Sequence, residues 1–365
     1  MSQTVVLFLQ NRTHRAGAQT CLARLLRHDA IKQWNPVLVC SPGGWLVEEA
    51  ARHGAAVVEE PFIRSRSIPS RLYGNAAFAR RVARNLEARS IRPTIVHAND
   101  HTEGLLGLEI ARLTGARTAI FLRSPTMTRD DYFKYRCDRY DFISAVGDEF
   151  QSRVRAWDAA REIELIHDGI FEDEIGPPKT KSPSPPGRVL VIGSPLDWKG
   201  WADLTEALYR LEREGVLPPL QFDFTGARPG SGGNDLKLDR LSVACCSFIG
   251  RVEQFRDLVL GYDLVINPSR METFGMAAIE VLAAGVPLIS SRTGVIELVQ
   301  ESPDMLFPPQ RPDAVASALK NVLTRWTEID LGVAGAQENI RRRFLIDHAA
   351  TRLNEVYERL LAPTG

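Results

Sequence analysis

Short runs of apolar, often β-branched residues alternate with amphipathic stretches along the whole 365-residue chain. Runs of three to five such residues, many bounded by Gly, Pro, Asn or Asp, read as strands buried on both faces. In the first half they predict strands at residues 5–9, 36–39, 56–59, 94–96, 118–122, 142–145 and 163–166. In the second half they predict strands at 188–192, 221–225, 247–249, 264–267, 286–290 and 305–307. Helical periodicity fills the gaps, most clearly over 20–26, 202–214, 276–284 and 312–326. Alternating strand and helix is the pattern of parallel sheets with crossover helices.

Between the halves lies the run 176–187, Gly-Pro-Pro-Lys-Thr-Lys-Ser-Pro-Ser-Pro-Pro-Gly, which suits neither helix nor ladder and reads as an inter-domain linker. The length also exceeds what one core usually organises. The expected organisation is therefore a first domain over 1–175, a linker over 176–187 and a second domain over 188–345. A final segment, 346–365, carries a helix expected to pack back near the first domain. The fold class is α/β: two doubly wound, Rossmann-like domains whose strand ends face a central cleft.

Composition changes this picture little: 44% hydrophobic and 25% charged residues are those of an ordinary globular protein. No run is long enough to span a bilayer, and the N-terminus reads as a first strand rather than a signal sequence. Five cysteines without CxxC or Cys/His spacing point to reduced thiols in a cytoplasmic protein and to no metal site. A net charge of zero excludes a general nucleic-acid binder.

The most informative segment is Asn267-Pro268-Ser269-Arg270-Met271-Glu272-Thr273-Phe274-Gly275-Met276-Ala277-Ala278-Ile279-Glu280, followed by a helix end at Gly285. A strand ends, a short loop carries Glu272 and Gly275, and a helix begins near Met276. Glycine at a helix mouth lets backbone N–H groups approach an anion, to which the helix N-terminus adds partial positive charge. Glu280 lies on an otherwise apolar helix, where a carboxylate needs partners such as ribose hydroxyls. The plainer alternative is a solvated Glu272 and a locally paired Glu280.

Pro-Ser-x-x-Glu-x-Phe-Gly-x-x-x-x-Glu-x-x-Ala-x-Gly-Val-Pro resembles the E-x7-E signature of family-4 retaining glycosyltransferases with the GT-B fold. The resemblance implies that Glu272 and the backbone of Thr273, Phe274, Gly275 and Met276 contact donor sugar and phosphates, and that Glu280 holds the nucleotide ribose. Gly193-Ser194-Pro195-Leu196-Asp197-Trp198-Lys199-Gly200 is similar to the family's Gly-Arg-x-x-x-x-Lys-Gly loop, whose two cations grip the leaving diphosphate. Lys199 keeps its place and Ser194 replaces the arginine. Phe248-Ile249-Gly250-Arg251-Val252 resembles the segment lining the base pocket, which puts Arg251 and Val252 near the nucleobase. Glu297 matches a further family glutamate, or is a carboxylate favoured at a helix start.

The first domain resembles the family more loosely. Gly17 is what remains of a Gly-Gly-Ala loop that approaches the donor. His97 is similar to a Val-His motif, and so falls in the acceptor or sugar vicinity, or is structural. Arg123 stands where many relatives have a histidine, to contact an anionic acceptor or phosphate or to pair with a carboxylate. Asp168 stands where the family's turn has asparagine.

The resemblance implies transfer of a sugar from a nucleotide diphospho-sugar, of UDP or GDP type, to a hydroxyl of a saccharide or lipid-linked acceptor with retained configuration. Polysaccharide or lipopolysaccharide assembly is the expected setting. Glu272 and Lys199 are the expected catalytic residues, and no separate cofactor is required. A nucleotide-sugar epimerase or hydrolase and a non-catalytic nucleotide- or glycan-binding member are the alternatives. Arg64, Arg66, Arg71, Arg80, Arg81, Arg84, Arg89 and Arg92, interleaved with Leu72, Tyr73, Phe78, Val82 and Leu86, read as a basic amphipathic face for peripheral contact with the inner face of the cytoplasmic membrane, or as a solvated helix face.

Overall fold

The structure, a computed structural model, describes residues 4–62, 68–182, 184–228, 236, 241–242 and 244–363. Packing divides the chain into two compact units, Met1–Phe171 with Phe344–Gly365, and Glu172–Arg343.

In the first unit the strands are β1 (Val6–Gln10), β2 (Val37–Cys40), β3 (Ala56–Glu59), β4 (Ile95–Ala98), β5 (Arg117–Leu122), β6 (Phe142–Ala145) and β7 (Glu164–Leu165). They form one parallel sheet in the order β3-β2-β1-β4-β5-β6-β7. Helices cover both faces of such a sheet, so β1, β2 and β4 are buried at every position and carry no polar alternation. The edge strand β3 buries only Val58.

The chain returns to this unit at its end. Ile170 N–H donates to Phe344 O at 3.0 Å and Ile346 N–H to Ile170 O at 2.7 Å, which docks the helix Ile346–Leu361. A Cβ on Gly169 would lie 2.7 Å from Ile346 N and Cα, so this approach requires glycine. The helix then buries Leu353, Val356 and Tyr357 and meets Trp34, whose indole N–H donates to Asn354 Oδ1 at 2.9 Å.

In the second unit β8 (Arg188–Val191), β9 (Gln221–Phe224), β10 (Cys245–Phe248), β11 (Leu264–Asn267), β12 (Leu288–Ser291) and β13 (Leu306–Phe307) are parallel in the order β10-β9-β8-β11-β12-β13. The helix Trp201–Arg213 buries Trp201, Leu204, Leu208 and Leu211 on one face, against Phe222 and Phe224. In each unit the chain winds outward from its first strand and then returns to that strand's other side. The loops after β1 and β4, and after β8 and β11, therefore diverge and open a crevice at the carboxyl edge, where open α/β sheets bind ligands.

The proline-rich run is not a free linker. Gly176 N–H donates to Ala283 O at 2.8 Å and Lys179 N–H to Gly285 O at 2.7 Å, while Ser182 O accepts from Trp326 Nε1 at 2.8 Å. Proline and serine rule out helix and ladder but leave carbonyls and side chains for tertiary bonds, and the run is a strap on the second unit. The chain passes between units at Phe171–Glu172 and Arg343–Phe344.

The basic stretch lies on the helix Ile68–Ala88. Arg64 and Arg66 fall outside the described residues, as do the side chains of Arg71, Leu72 and Tyr73. Phe78, Val82 and Leu86 are buried in the first unit's core, so these three apolar positions are turned to the protein. Arg81 pairs with Glu60 and Arg89 donates to Val57 O. No described helix is long and apolar enough to cross a membrane.

Candidate functional site

Two predicted residues meet at the β8/β11 crevice. Lys199 comes from the loop after β8 and Glu272 from the loop after β11, and Lys199 Nζ donates to Glu272 Oε1 at 2.5 Å. The side chains are 17% and 13% exposed, so the pair is mostly shielded yet reaches the surface. The Lys199 ammonium also stands 4.2 Å from the Trp198 ring centroid.

Arg270, which the sequence reading left without a role, fastens these loops together. Its guanidinium forks onto Asp203 at 2.7 and 2.8 Å and onto Asp197 at 2.9 and 3.0 Å, and its backbone N–H donates to Trp198 O at 2.8 Å. Bidentate arginine–carboxylate geometry fixes orientation as well as distance. Asp197 and Asp203, six residues apart and flanking the Lys199-Gly200 turn, were the available signal.

Gly275 (φ +90°) caps the helix Met276–Ala283, and its carbonyl accepts from Ala278 and Ile279. The N–H groups of Met276 and Ala277 precede that ladder and are the first-turn donors of the helix. Thr273, Phe274 and Met276 are buried, and Phe274 O accepts from Val295 N–H at 3.0 Å, which backs the loop from below. Glu280, one turn in, is half-buried. Glu297 pairs with Arg292 at 2.5 Å on the surface.

Ser194 is half-buried in the loop after β8. The turn after β9 packs against it: a Cβ on Gly226 would lie 3.5 Å from Ser194 Cα. Gly226 bridges in turn to Gly250 through reciprocal N–H···O bonds of 2.6 and 3.1 Å, which brings Arg251 and Val252 to that end of the sheet. Arg251 is exposed and Val252 half-buried.

The other three candidates belong to the first unit. Gly17 opens the helix Gly17–Arg27, with nothing within 4 Å of a Cβ built on it. His97 has the surroundings of a structural residue. It is fully buried in β4, its Nδ1 lies 2.6 Å from Tyr357 Oη, and its ring packs on Phe8 and Phe121. Burial, aided by Arg123, lowers its pKa to about 3, so it is neutral. The return of the C-terminal helix supplies the Tyr357 hydroxyl of that environment.

Arg123, 4% exposed, forms an ion pair with Asp168, 10% exposed, and donates from Nε to Asn99 Oδ1 at 3.1 Å. Of the two sequence readings, the carboxylate partner is the one realised. Asn99 continues the network to Gln10 Oε1 at 2.5 Å and Ala18 O at 3.2 Å, so the ends of β1, β4, β5 and β7 are tied together. Beside it Asp100 Oδ1 accepts from His101 Nδ1 at 2.9 Å and from Arg123 N–H at 3.2 Å. Glu103, 2% exposed, accepts from Asn11 N–H at 3.1 Å, and burial reinforced by Asp100 pushes its pKa up to about 7.

No described group of three or more His, Cys, Asp or Glu side chains is arranged to hold a metal ion. The described site supplies one ammonium, carboxylates and helix N–H groups around a solvent-reaching crevice. That set suits a ligand with phosphates and several hydroxyls.

Residues 186–325 match the family described as glycosyl transferases group 1, and residues 15–174 match glycosyltransferase family 4. Over 115 residues the chain is 30% identical to an uncharacterized glycosyltransferase of Methanocaldococcus jannaschii, covering 30% of each protein. Over 99 residues it is 35% identical to the D-inositol 3-phosphate glycosyltransferase of Jonesia denitrificans, covering 27% of this chain and 23% of that protein. The chain thus spans less than a third of the length of these curated relatives. The crystal structure of Anabaena HepE in complex with UDP and glucose is similar with a TM-score of 0.77 at 17% identity, covering 97% of this chain and 99% of that one. That likeness is one of fold.

Proposed function

This chain belongs to the family-4 glycosyltransferases of the GT-B fold, and from that premise we propose that it transfers a sugar from a nucleotide diphospho-sugar to an acceptor hydroxyl with retained anomeric configuration. The observation that carries the reading is the Lys199–Glu272 pair, drawn from the two loops that diverge at the β8/β11 crevice. The bond between the anomeric carbon and the β-phosphate oxygen breaks as the acceptor oxygen bonds to that carbon. The acceptor proton passes to the departing phosphate oxygen. Lys199 and the first-turn N–H groups of the helix Met276–Ala283 stabilise the charge that develops there. Glu272 orients the sugar hydroxyls and Glu280 holds the ribose.

The donor is of UDP or GDP type, supported on the UDP side by the ligand named for the Anabaena neighbour. The acceptor is a saccharide or a lipid-linked glycan in polysaccharide or lipopolysaccharide assembly. Contact with an anionic membrane, where the acceptor is lipid-linked, rests on the exposed Arg80, Arg84 and Arg89 by charge alone. Flotation with phosphatidylglycerol liposomes tests this: binding is lost at high salt, and absence of binding at low salt rejects it.

Calorimetry with UDP, GDP, ADP and CMP identifies the base, and transfer assays with the matching donors follow. Glu280→Ala weakens binding of the preferred nucleotide about tenfold, the worth of hydrogen bonds to a charged group. Lys199→Ala lowers turnover about 100-fold, as loss of one charge-stabilising donor does. Unchanged kinetics in both variants reject the site. Release of free sugar or epimer at the full rate without acceptor would favour the hydrolase or epimerase reading, and nucleotide binding without turnover the non-catalytic one.

A further inference from the structure

Trp198 directly precedes Lys199 and is half-buried, and its ring centroid lies 4.2 Å from the Lys199 ammonium. Glu272 binds the same ammonium at 2.5 Å. An ammonium has three N–H donors, and among the described residues Glu272 is the one hydrogen-bond partner of Lys199 Nζ. The cation therefore has two neighbours of different kinds, an indole ring and a carboxylate, and keeps donors for a ligand.

The turn that carries both residues is fixed at its backbone. Trp198 O accepts from Arg270 N–H at 2.8 Å, and Lys199 N–H donates to Leu196 O at 2.9 Å. A Cβ on Gly200 (φ +69°) would strike Pro268 O, so the turn is pressed against the start of the Glu272 loop. The freedom that remains belongs to the four-carbon stem of Lys199, which carries a compact charge on a flexible chain. A cation near the face of an aromatic ring is attracted by the ring quadrupole, most strongly for tryptophan. The ring thus restrains the part of Lys199 that the backbone bonds do not reach. Glu272 has a second task in the transfer proposed above, to orient the sugar hydroxyls, whereas Trp198 has no other. The demand on Lys199 is also greater here, because residues 193–200 hold a single cation and Ser194 stands where the resembled loop has arginine.

We infer that Trp198 is a positioning residue of the nucleotide site, its ring holding the Lys199 ammonium in place for the distal phosphate of a nucleoside diphosphate. It acts through Lys199 and not by contact with the nucleotide. The inference rests on the donor-site reading above and deepens it.

The test is calorimetry on the full chain with UDP and UMP, and with GDP and GMP, for the wild type and Trp198→Leu. Leucine keeps an apolar side chain and removes the ring. The expected result is about fivefold weaker binding of the preferred diphosphate, with the matching monophosphate changed less than about twofold. Trp198→Phe, whose ring attracts a cation less strongly, gives a smaller loss of the same kind and serves if the leucine variant does not fold. In a Lys199→Ala chain the change at Trp198 has no further effect on the diphosphate, because the ring acts through the ammonium. Equal weakening of diphosphate and monophosphate in a folded variant, or no change in either, overturns the inference while leaving the donor site standing. So does an undiminished loss in the Lys199→Ala chain, which is what direct contact between the ring and the nucleotide would give. A wild-type chain that binds none of the four nucleotides overturns the donor-site reading and the inference with it.

Discussion

Arg123 and Asp168 are both departures from the pattern the sequence resembles, and the structure makes them partners. A buried charge whose partner is removed is strongly destabilising, whereas replacing both charges together is far less so. Arg123→Met should therefore cost about 3 kcal/mol in urea unfolding, and adding Asp168→Asn should recover most of it. Additive losses would show that the pair is not coupled. His97 gives a pH prediction. Its folded pKa, about 3, lies below the ordinary value of 6.5, so between these values the unfolded chain holds a proton that the native chain does not. Its contribution is complete above the ordinary histidine pKa and is lost as pH falls toward 3. Unfolding midpoints measured from pH 7 to pH 4 should fall less steeply for His97→Gln, which can still bond Tyr357, than for the wild type; parallel curves would refute the assignment. Lys199 and Glu272 were legible because they sit on one strand-loop-helix motif each. Arg123 with Asp168 was not, since 45 residues separate them and nothing local couples arginine to aspartate.

At the scale of elements, the alternation of apolar and amphipathic runs placed each observed strand to within about two residues, since a strand buried on both faces must be apolar throughout. Displacements of two residues occur at one end of β4, β10 and β12, and β10 is an edge strand in which no residue is fully buried, so its hydrophobic signal is weak. The basic helix carried two readings for a related reason. Periodicity reports that one face is apolar but not what that face meets, and the answer was the core of its own unit. The junction of Gly169 with Ile346 is a sharper test of tertiary demand. Gly169→Ala forces a methyl group into backbone at 2.7 Å, and should lower stability by about 1–3 kcal/mol through the docking of the last helix. Thermal melts of the full-length variant check this, and an unchanged midpoint would show that the junction does not demand glycine.

At the scale of the molecule, the first unit is discontinuous and the second is contiguous. A chain ending at Arg343 should therefore lose the cooperative unfolding of the first unit, because Trp34, His97 and their neighbours lose Tyr357 and Asn354. The fragment Glu172–Arg343 should keep its own transition. Limited proteolysis followed by calorimetry checks both; a first unit that melts unchanged without residues 344–365 would contradict the division. Two parallel α/β units and the Lys199 and Glu272 loops were determined by the sequence itself, because buried strands, glycine turns and helix starts are local demands that local residues must meet. Only the tertiary structure decided that the proline-rich run straps the second unit, that Arg270 clamps the two loops and that His97 is core. Each of those depends on partners brought together from distant positions, and chain pattern carries no record of which distant group will satisfy a buried charge or donor.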